Sequence, residues 1–298
     1  MSYPFVDPEL QAKLSVLPLE SKQAMLGSVT GRHRSLNHGS SVEFSEYRKY
    51  VQGDDIRMLD WKAFARSDRY YIKQSEADTN MLVHSLIDCS GSMNFDGSHG
   101  SKIDLVKKLV ATLSALAIRQ GDAAGIHCVS SSLDLQIRPK RKPSHLHQIY
   151  QSLNEVKVSG ETGLCHGIHQ LAQSIQRRGL VLIFSDFFCD LESLKEALLH
   201  VKHRKHEVCL FQILDPMELE FNFSQAHRFI DLEDGSHVHI EGEEIRDEYL
   251  ALMQDFLQGV EGLASEALVE HHLIRSSDSA EEVLTKFLHS RSQNFLDS

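Results

Sequence analysis

The sequence predicts an α/β fold: a doubly wound, mostly parallel sheet flanked by helices, with a small N-terminal subdomain of short strands and a helix. Three observations predict it. From residue 81 onward, apolar strand-like runs alternate with helical stretches, the order that builds parallel sheets. Runs such as MLVHSLID and GLVLIFSD read as buried strands. Residues 28–80 have a different texture, polar and rich in Arg, Tyr and Gly, with short strand-like pieces. The expected boundary falls there, giving an N-terminal subdomain over 1–80 and a sheet domain over 81–298.

Taken in order, PELQAKLSVLPLESKQAMLG (8–27) reads as a helical region broken at Pro18. VEFSEYRKYV and YYIKQSEA supply the short strands of the subdomain. MLVHSLID opens the sheet. Over 102–120, Ile103, Val106, Leu109, Val110, Leu113, Leu116 and Ala117 recur at helical spacing, and Gly121-Asp122 stops the helix. AAGIHCVSSS is a second strand, and LDLQIRP a third that pairs with it as a hairpin. Residues 144–155 and 163–178 are expected helices. GLVLIFSD (strand), LESLKEALLHVKH (helix) and HEVCLFQILD (strand) follow. HRFIDLEDGSHVHI looks like a hairpin turning at Asp234-Gly235. Residues 244–268 are helical, HHLIRSS is the last strand, and Ser279/Glu282 form a capping box for a final helix.

Composition narrows the function classes. A chain of 298 residues, 41% hydrophobic and 24% charged, buries a sizeable core without disulfides or a structural metal. With 31 basic against 42 acidic residues the net charge is −11, which argues against nucleic acid as a partner, since phosphate-backbone binding needs a basic face. The five cysteines form no CxxC pair. The start, MSYPFVDPEL, has neither a basic n-region nor an apolar h-region. The longest apolar run, GLVLIFSDFF, is half the length that spans a bilayer and carries an aspartate, so no membrane span is expected. The expectation is a cytoplasmic protein with reduced thiols.

The chemistry concentrates in LVHSLIDCSGSMNFDG, residues 82–97. A strand ends in Asp88, then Ser90 and Ser92 follow at alternate positions. In an extended loop alternate side chains face the same way, and Gly91 lets the backbone turn between the serines. Thr162, in SGETGL, precedes a helix, and Asp186, in LIFSDFF, follows another strand. In a doubly wound sheet ligands bind at the carboxyl ends of strands. Two carboxylates and three hydroxyls are hard oxygen ligands, suited to Mg²⁺ or Mn²⁺. If neutral hydroxyls are the direct ligands, the ion keeps much of its charge, and an open position attracts a carboxylate from outside.

This pattern resembles the metal-ion-dependent adhesion site of von Willebrand factor A domains, over roughly residues 80–290. The segment GRHRSLNHGSSVEFSEYRKYVQGDDIRMLDWKAFARSDRYYIKQSEAD (31–78) resembles the hallmark region of a bacterial family, domain-of-unknown-function family fifty-eight. The matching positions are Glu43, Phe44, Arg48, Tyr50, Gly53, Asp54, Asp55, Arg57, Asp60, Trp61, Ala65 and Arg66. The resemblance implies a von Willebrand factor A-like fold and a non-enzymatic interaction module. Its ion would recruit an acidic residue of a partner. That partner would be a MoxR-type AAA+ ATPase, with this chain as adaptor or co-chaperone for a client protein complex. Ser90 and Ser92 would be direct ligands, and Thr162 direct or through water. Asp88 and Asp186 would act through water and orient the hydroxyls. Longer family members carry N-terminal membrane helices, and no such stretch is read here.

Other readings stay in view. A Mg²⁺-dependent phosphohydrolase would use Asp88 as nucleophile, but such enzymes typically carry a second aspartate two residues on, where this chain has Ser90. A structural protein with a degenerate metal site is the third class. There is no G-x-S-x-G elbow, no phosphate-binding G-x-x-x-x-G-K-[ST] loop and no G-x-G-x-x-G fingerprint. Residues 48–69 read as a buried salt-bridge network with Trp61 as packing anchor, or else as a docking face for the ATPase. Cys89, Cys165 and Cys189 fall near the site and are expected as small apolar filler. His200, His203 and His206, and the pairs His145/His147 and His237/His239, are expected on solvated faces. The loop RPKRKP (138–143) is expected in solvent.

Overall fold

A computed structural model describes residues 3–22, 42–50, 59, 61, 64, 66, 69–77, 80–97, 100–158, 160, 162–221, 226–230 and 237–292. The chain divides into two compact units, Gln23–Asn80 and Met1–Lys22 with Met81–Ser298. The boundary expected at 80/81 thus needs correction at its N-terminal side. Helix α1 (Pro8–Leu14) packs within the large unit, on α2 (Lys102–Arg119), and buries Leu10 and Leu14 there, with Leu19 just beyond. Polar ties fix the same stretch: Gln120 Nε2 donates to Leu17 O, and Leu19 N donates to Gln120 Oε1, both at 2.9 Å. The helix stops four residues short of Pro18. Ser15 Oγ turns back on Ala12 O at 2.6 Å.

In the small unit, β1 (Val42–Lys49) pairs antiparallel with β2 (Tyr71–Ala77), with a register shift between Phe44 and Glu46. Trp61 is 60% exposed, so it is not the buried anchor expected. It ends a row of rings instead, edge-on to Phe64, which stacks on Tyr70 at 4.5 Å. Arg66 and Arg69 of the expected charge network are exposed as well, while Asp54, Asp55, Arg57 and Asp60 lie outside the described residues.

The large unit is built on a six-stranded sheet. Its strands in chain order are β3 (Leu82–Asp88), β6 (Ala123–Val129), β7 (Leu133–Lys140), β8 (Leu180–Ser185), β9 (Glu207–Leu214) and β12 (Glu270–Arg275). Between β3 and β6 a short ladder pairs β4 (Asp96–Gly97) with β5 (Gly100–Ser101). The spatial order is β12-β9-β8-β3-β6-β7, all parallel except the antiparallel edge strand β7. This is the doubly wound arrangement the alternation predicts, with the chain reversing direction across the sheet between β3 and β8. β6, β8 and β9 are buried along their whole length, as expected of strands covered on both faces.

Helices α4 (Leu164–Ser174), α5 (Leu191–His203) and α7 (Gly242–Glu266) cover one face, where Ile168, Leu171, Leu194, Leu198 and Val260 pack on Leu86, Val181 and Ile183 of the sheet. On the other, Phe211 stacks on Phe184 and meets Phe287 of α8 (Ala280–Ser292) edge-on. Helix α3 (Pro143–Glu155) packs on α2. Helix α4 ends at Ser174 rather than 178, because Ser174 Oγ bonds Leu171 O at 2.9 Å and Ile175 is extended. β10 (Ala226–Ile230) and β11 (His237–Glu241) pair antiparallel as expected, while the turn at Asp234-Gly235 lies outside the described residues. Two histidines expected in solvent are buried and paired with backbone: His145 Nε2 with Ala124 O at 3.1 Å, and His206 Nδ1 accepting from Gly179 N at 3.3 Å. Among the described residues no helix is long and apolar enough to cross a membrane.

The two ends of the large unit are joined by one buried guanidinium. Arg291 has no exposed side-chain surface and donates to Glu207, to Glu270 Oε2 at 3.0 Å and to Glu20 O. Breaking a buried ion pair leaves an uncompensated charge. Arg291→Ala is therefore expected to lower stability by about 3–5 kcal/mol, read as a lower urea midpoint. Lys13→Ala, which removes an exposed pair with Glu281, is expected to change it by less than about 1 kcal/mol.

Candidate metal centre

β3 and β8 flank the point where the sheet reverses; β3 ends in a carboxylate, and one directly follows β8. Asp88 closes β3, and Asp186 follows Ser185, the last residue of β8. Both are buried, at 1% and 2% exposure. The apolar burial of the two strands runs up to Ile87 and Phe184 and delivers the polar residues to the rim.

Asp88 is the hub. Its Oδ1 accepts the Ser90 N–H at 2.9 Å, the local turn that Asp favours. Its Oδ2 accepts Ser185 Oγ at 2.6 Å and, at a long 3.5 Å, Thr162 Oγ1. Ser90 and Ser92 hydroxyls lie 3.1 Å apart. Gly91 N donates to Gly160 O at 2.9 Å, so the serine loop is tied to the loop carrying Thr162. That second loop presses against the β6–β7 turn. A Cβ at Gly163 would lie 2.3 Å from Ser131 O, so the residue after Thr162 has to be glycine.

Asp186 has a different partner. Lys102, the first residue of α2, is fully buried and donates to Asp186 Oδ2 and to Glu218 Oε1, each at 2.8 Å. Glu218 belongs to α6 (Pro216–Glu220), and its other oxygen accepts Asp215 N at 2.7 Å in a capping box. Phe188 N donates to Asp186 Oδ1 at 3.2 Å. Between them Phe187 is buried with a left-handed backbone, φ 62°, rare for a residue with a side chain.

These contacts set the electrostatics. Burial and the neighbouring Asp186 charge push the Asp88 pKa up to about 6, against the opposing hydrogen bonds from Ser185 and Ser90. Burial opposes the charge of Lys102, yet Asp186 and Glu218 outweigh it and raise its pKa. Burial raises Glu218, with Lys102 pulling it back. Asp88, Asp186 and Glu218 against Lys102 leave two net negative charges at the rim.

The residues fit a small divalent cation. Metal–oxygen bonds of about 2.0–2.1 Å at right angles place neighbouring ligand oxygens about 3.0 Å apart, close to the Ser90–Ser92 separation of 3.1 Å. The net charge of the rim matches the ion. The structure thus gathers all five sequence-predicted residues at one end of the sheet. Asp88, Ser90, Ser92 and Thr162 are joined by hydrogen bonds, and Asp186 enters through its field on Asp88. Three contributors went unread in the sequence: Ser185, Lys102 and Glu218. The signal for Lys102 was a cation at the first position of a helix, where the dipole disfavours it unless carboxylates face it.

A second group with metal-ligand chemistry, Glu207, Cys209 and Glu270, sits at the opposite end of β9. The Arg291 guanidinium already lies among them, with Nη1 3.2 Å from Cys209 Sγ, so the group is an ion-pair network rather than an open site.

The raised Asp88 pKa fixes a sign. An acid whose folded pKa exceeds its unfolded value contributes stability that is complete below the unfolded value, 3.8, and lost as pH rises through about 6. The full loss is on the order of 3 kcal/mol. Asp88→Asn has no proton to lose and so removes that pH dependence, but its amide keeps only one of the two oxygens that accept the Ser90 N–H and the Ser185 hydroxyl. The melting temperature of the metal-stripped variant relative to the wild type is therefore expected to rise as pH goes from 3.8 through about 6. A difference between the two that stays constant over that range would contradict this account.

Comparison with known proteins places the chain. Uncharacterized proteins of Mycobacterium bovis and of Mycobacterium tuberculosis are each 29% identical over 217 residues, covering 72% of this chain and 68% of theirs. Among solved structures, BatB of Bacteroides thetaiotaomicron aligns with 13% identity and a TM-score of 0.47, covering 71% of this chain and 98% of that one. An aerotolerance-related membrane protein of Bacteroides fragilis aligns with 14% identity and a TM-score of 0.48, covering 70% and 98%. The family model described as "Protein of unknown function DUF58" matches residues 46–256, more than half of the chain, and the protein belongs to that family.

Proposed function

We propose that this chain is a non-enzymatic protein-interaction module. Its site of Asp88, Ser90, Ser92, Thr162 and Asp186 takes Mg²⁺ or Mn²⁺ and through it an acidic residue of a partner protein. One observation carries the reading: two hydroxyls at the spacing of adjacent octahedral ligands, above buried carboxylates that leave two negative charges. Ser90, Ser92 and Thr162 hold the ion. Asp88 aims the serine loop through the Ser90 N–H, and Asp186, steadied by Lys102, supplies the second carboxylate. A bound ion supplies a hard Lewis acid with room for one outside carboxylate. The family resemblance supports a MoxR-type AAA+ ATPase as partner, with the chain as its adaptor toward a client complex.

Both Asp88 oxygens already accept hydrogen bonds, which favours an orienting role over attack on a phosphate. The position two residues on, where a phosphohydrolase has its general acid, is Ser90, whose hydroxyl faces Ser92.

Calorimetric titration of the metal-stripped chain with Mg²⁺ and Mn²⁺ tests the reading. Saturable single-site binding is expected, weakened at least roughly tenfold by Ser92→Ala. At a hundredfold excess over Kd, binding adds about 2.7 kcal/mol, seen as a higher melting temperature. A generic phosphate ester should not turn over. Absence of binding both alone and with a MoxR-type ATPase, or turnover that dies with Asp88→Asn, would sink the proposal.

A further inference from the structure

Cys165 and Cys189 lie outside the metal ligand set, yet each follows a member of it by three residues, Thr162 and Asp186. Cys165 is in the first turn of α4, and Cys189 is in the loop that leads into α5. Their sulfurs touch at 3.8 Å. Both are half-buried, whereas Cys89, Cys128 and Cys209 are buried. Both pack against the apolar cluster under the sheet, as expected of small apolar filler, but filling alone does not call for two thiols in contact.

We propose that Cys165 and Cys189 form an oxidisable dithiol whose disulfide links the loop carrying Thr162 to the loop carrying Asp186. A disulfide needs about 2.05 Å between sulfurs, so the pair has about 1.8 Å to close, within reach of side-chain rotation and a small loop shift. The roles of the two thiols differ. Cys165 lies in the first turn of α4, where the helix N-terminus favours a thiolate, while Cys189 lies in a loop outside any helix. Cys165 is thus the attacking thiolate and Cys189 the resolving thiol.

With hydrogen peroxide as oxidant the step balances. The Cys165 thiolate attacks one peroxide oxygen, the O–O bond breaks, and hydroxide leaves, taking a proton to become water. The resulting sulfenic acid is attacked at sulfur by Cys189, the S–O bond breaks, and a second water departs with the Cys189 proton. Two thiols and one peroxide give one disulfide and two waters. A dithiol reductant reverses it.

The structural consequence rests on the metal-site reading above. Linking the two loops moves Thr162 and Asp186 together, and displacing groups that support a metal site typically weakens affinity roughly ten- to a hundredfold.

The test treats the native full chain with hydrogen peroxide and maps peptides by mass spectrometry. A Cys165–Cys189 cross-link lighter by two hydrogens, reversed by dithiothreitol, is expected, with the three buried thiols unmodified. Cys189→Ser should stop at a Cys165 sulfenic acid trapped by dimedone. Free thiols throughout, or oxidation of each cysteine separately in the wild type, would overturn the proposal. Magnesium titration of the reduced and oxidised chains then reads the coupling, with roughly tenfold weaker binding expected after oxidation. Equal binding in the two states overturns the coupling. A cross-link in a chain that binds no Mg²⁺ even when reduced would count against the metal reading alone.

Discussion

Lys102 stands at the first position of a helix, fully buried, with a carboxylate on either side. Each circumstance taken alone is unfavourable: the helix dipole repels a cation there, and burial strips its hydration. Asp186 and Glu218 make it tolerable, and Phe95 and Phe188 rings flank the ammonium at 5.9 and 5.5 Å. Three segments far apart in sequence are thereby fixed on one point: the start of α2, the exit of β8 and the short helix after β9. A packed apolar trio can serve a core as well as a buried ion pair. It does not aim a carboxylate, and the position of Asp186 depends on that aim.

The two aspartates at the rim are consequently unlike. Asp186 has a cation of its own, whereas Asp88 has only hydroxyls and one backbone N–H. Burial without a counter-charge raises the Asp88 pKa. The protein therefore holds one carboxylate with a counter-charge and one without, side by side, with the serine hydroxyls next to the second. Strand order makes this arrangement available. β3 and β8 are neighbours in space although about 90 residues separate them, because the sheet is wound outward from both.

Much of this was legible in the sequence because it depends on local periodicity. Buried strands are unbroken apolar runs, α2 shows its buried stripe every three to four residues, and Asp88, Ser90 and Ser92 alternate along an extended loop. What was not legible depends on pairing across distance. Lys102 reads as a solvated helix start until Glu218, 116 residues later, is placed beside it. Arg291 reads as a charged tail residue until Glu207 and Glu270 surround it. His145 and His206 have charged neighbours in sequence but backbone partners in space. Trp61 fails the other way: large aromatic side chains favour burial, and this one is exposed. The start of the chain reads as a helical region distinct from the polar segment after it, but nothing local says which unit it joins, and only its contacts with α2 and α8 assign it to the sheet unit.

The left-handed backbone at Phe187 bears on any attempt to graft this site onto another scaffold. A designer copying the Asp-x-Ser-x-Ser loop, Thr162 and Asp186 would choose an ordinary conformation after the second strand, since a buried phenylalanine with φ 62° violates the usual rules. At that turn the Phe187 N–H reaches Ser185 Oγ, whose own proton goes to Asp88, and the next N–H reaches Asp186. One strained residue thus sets the orientation of both carboxylates, and a transplant that relaxes it carries the ligands without their alignment.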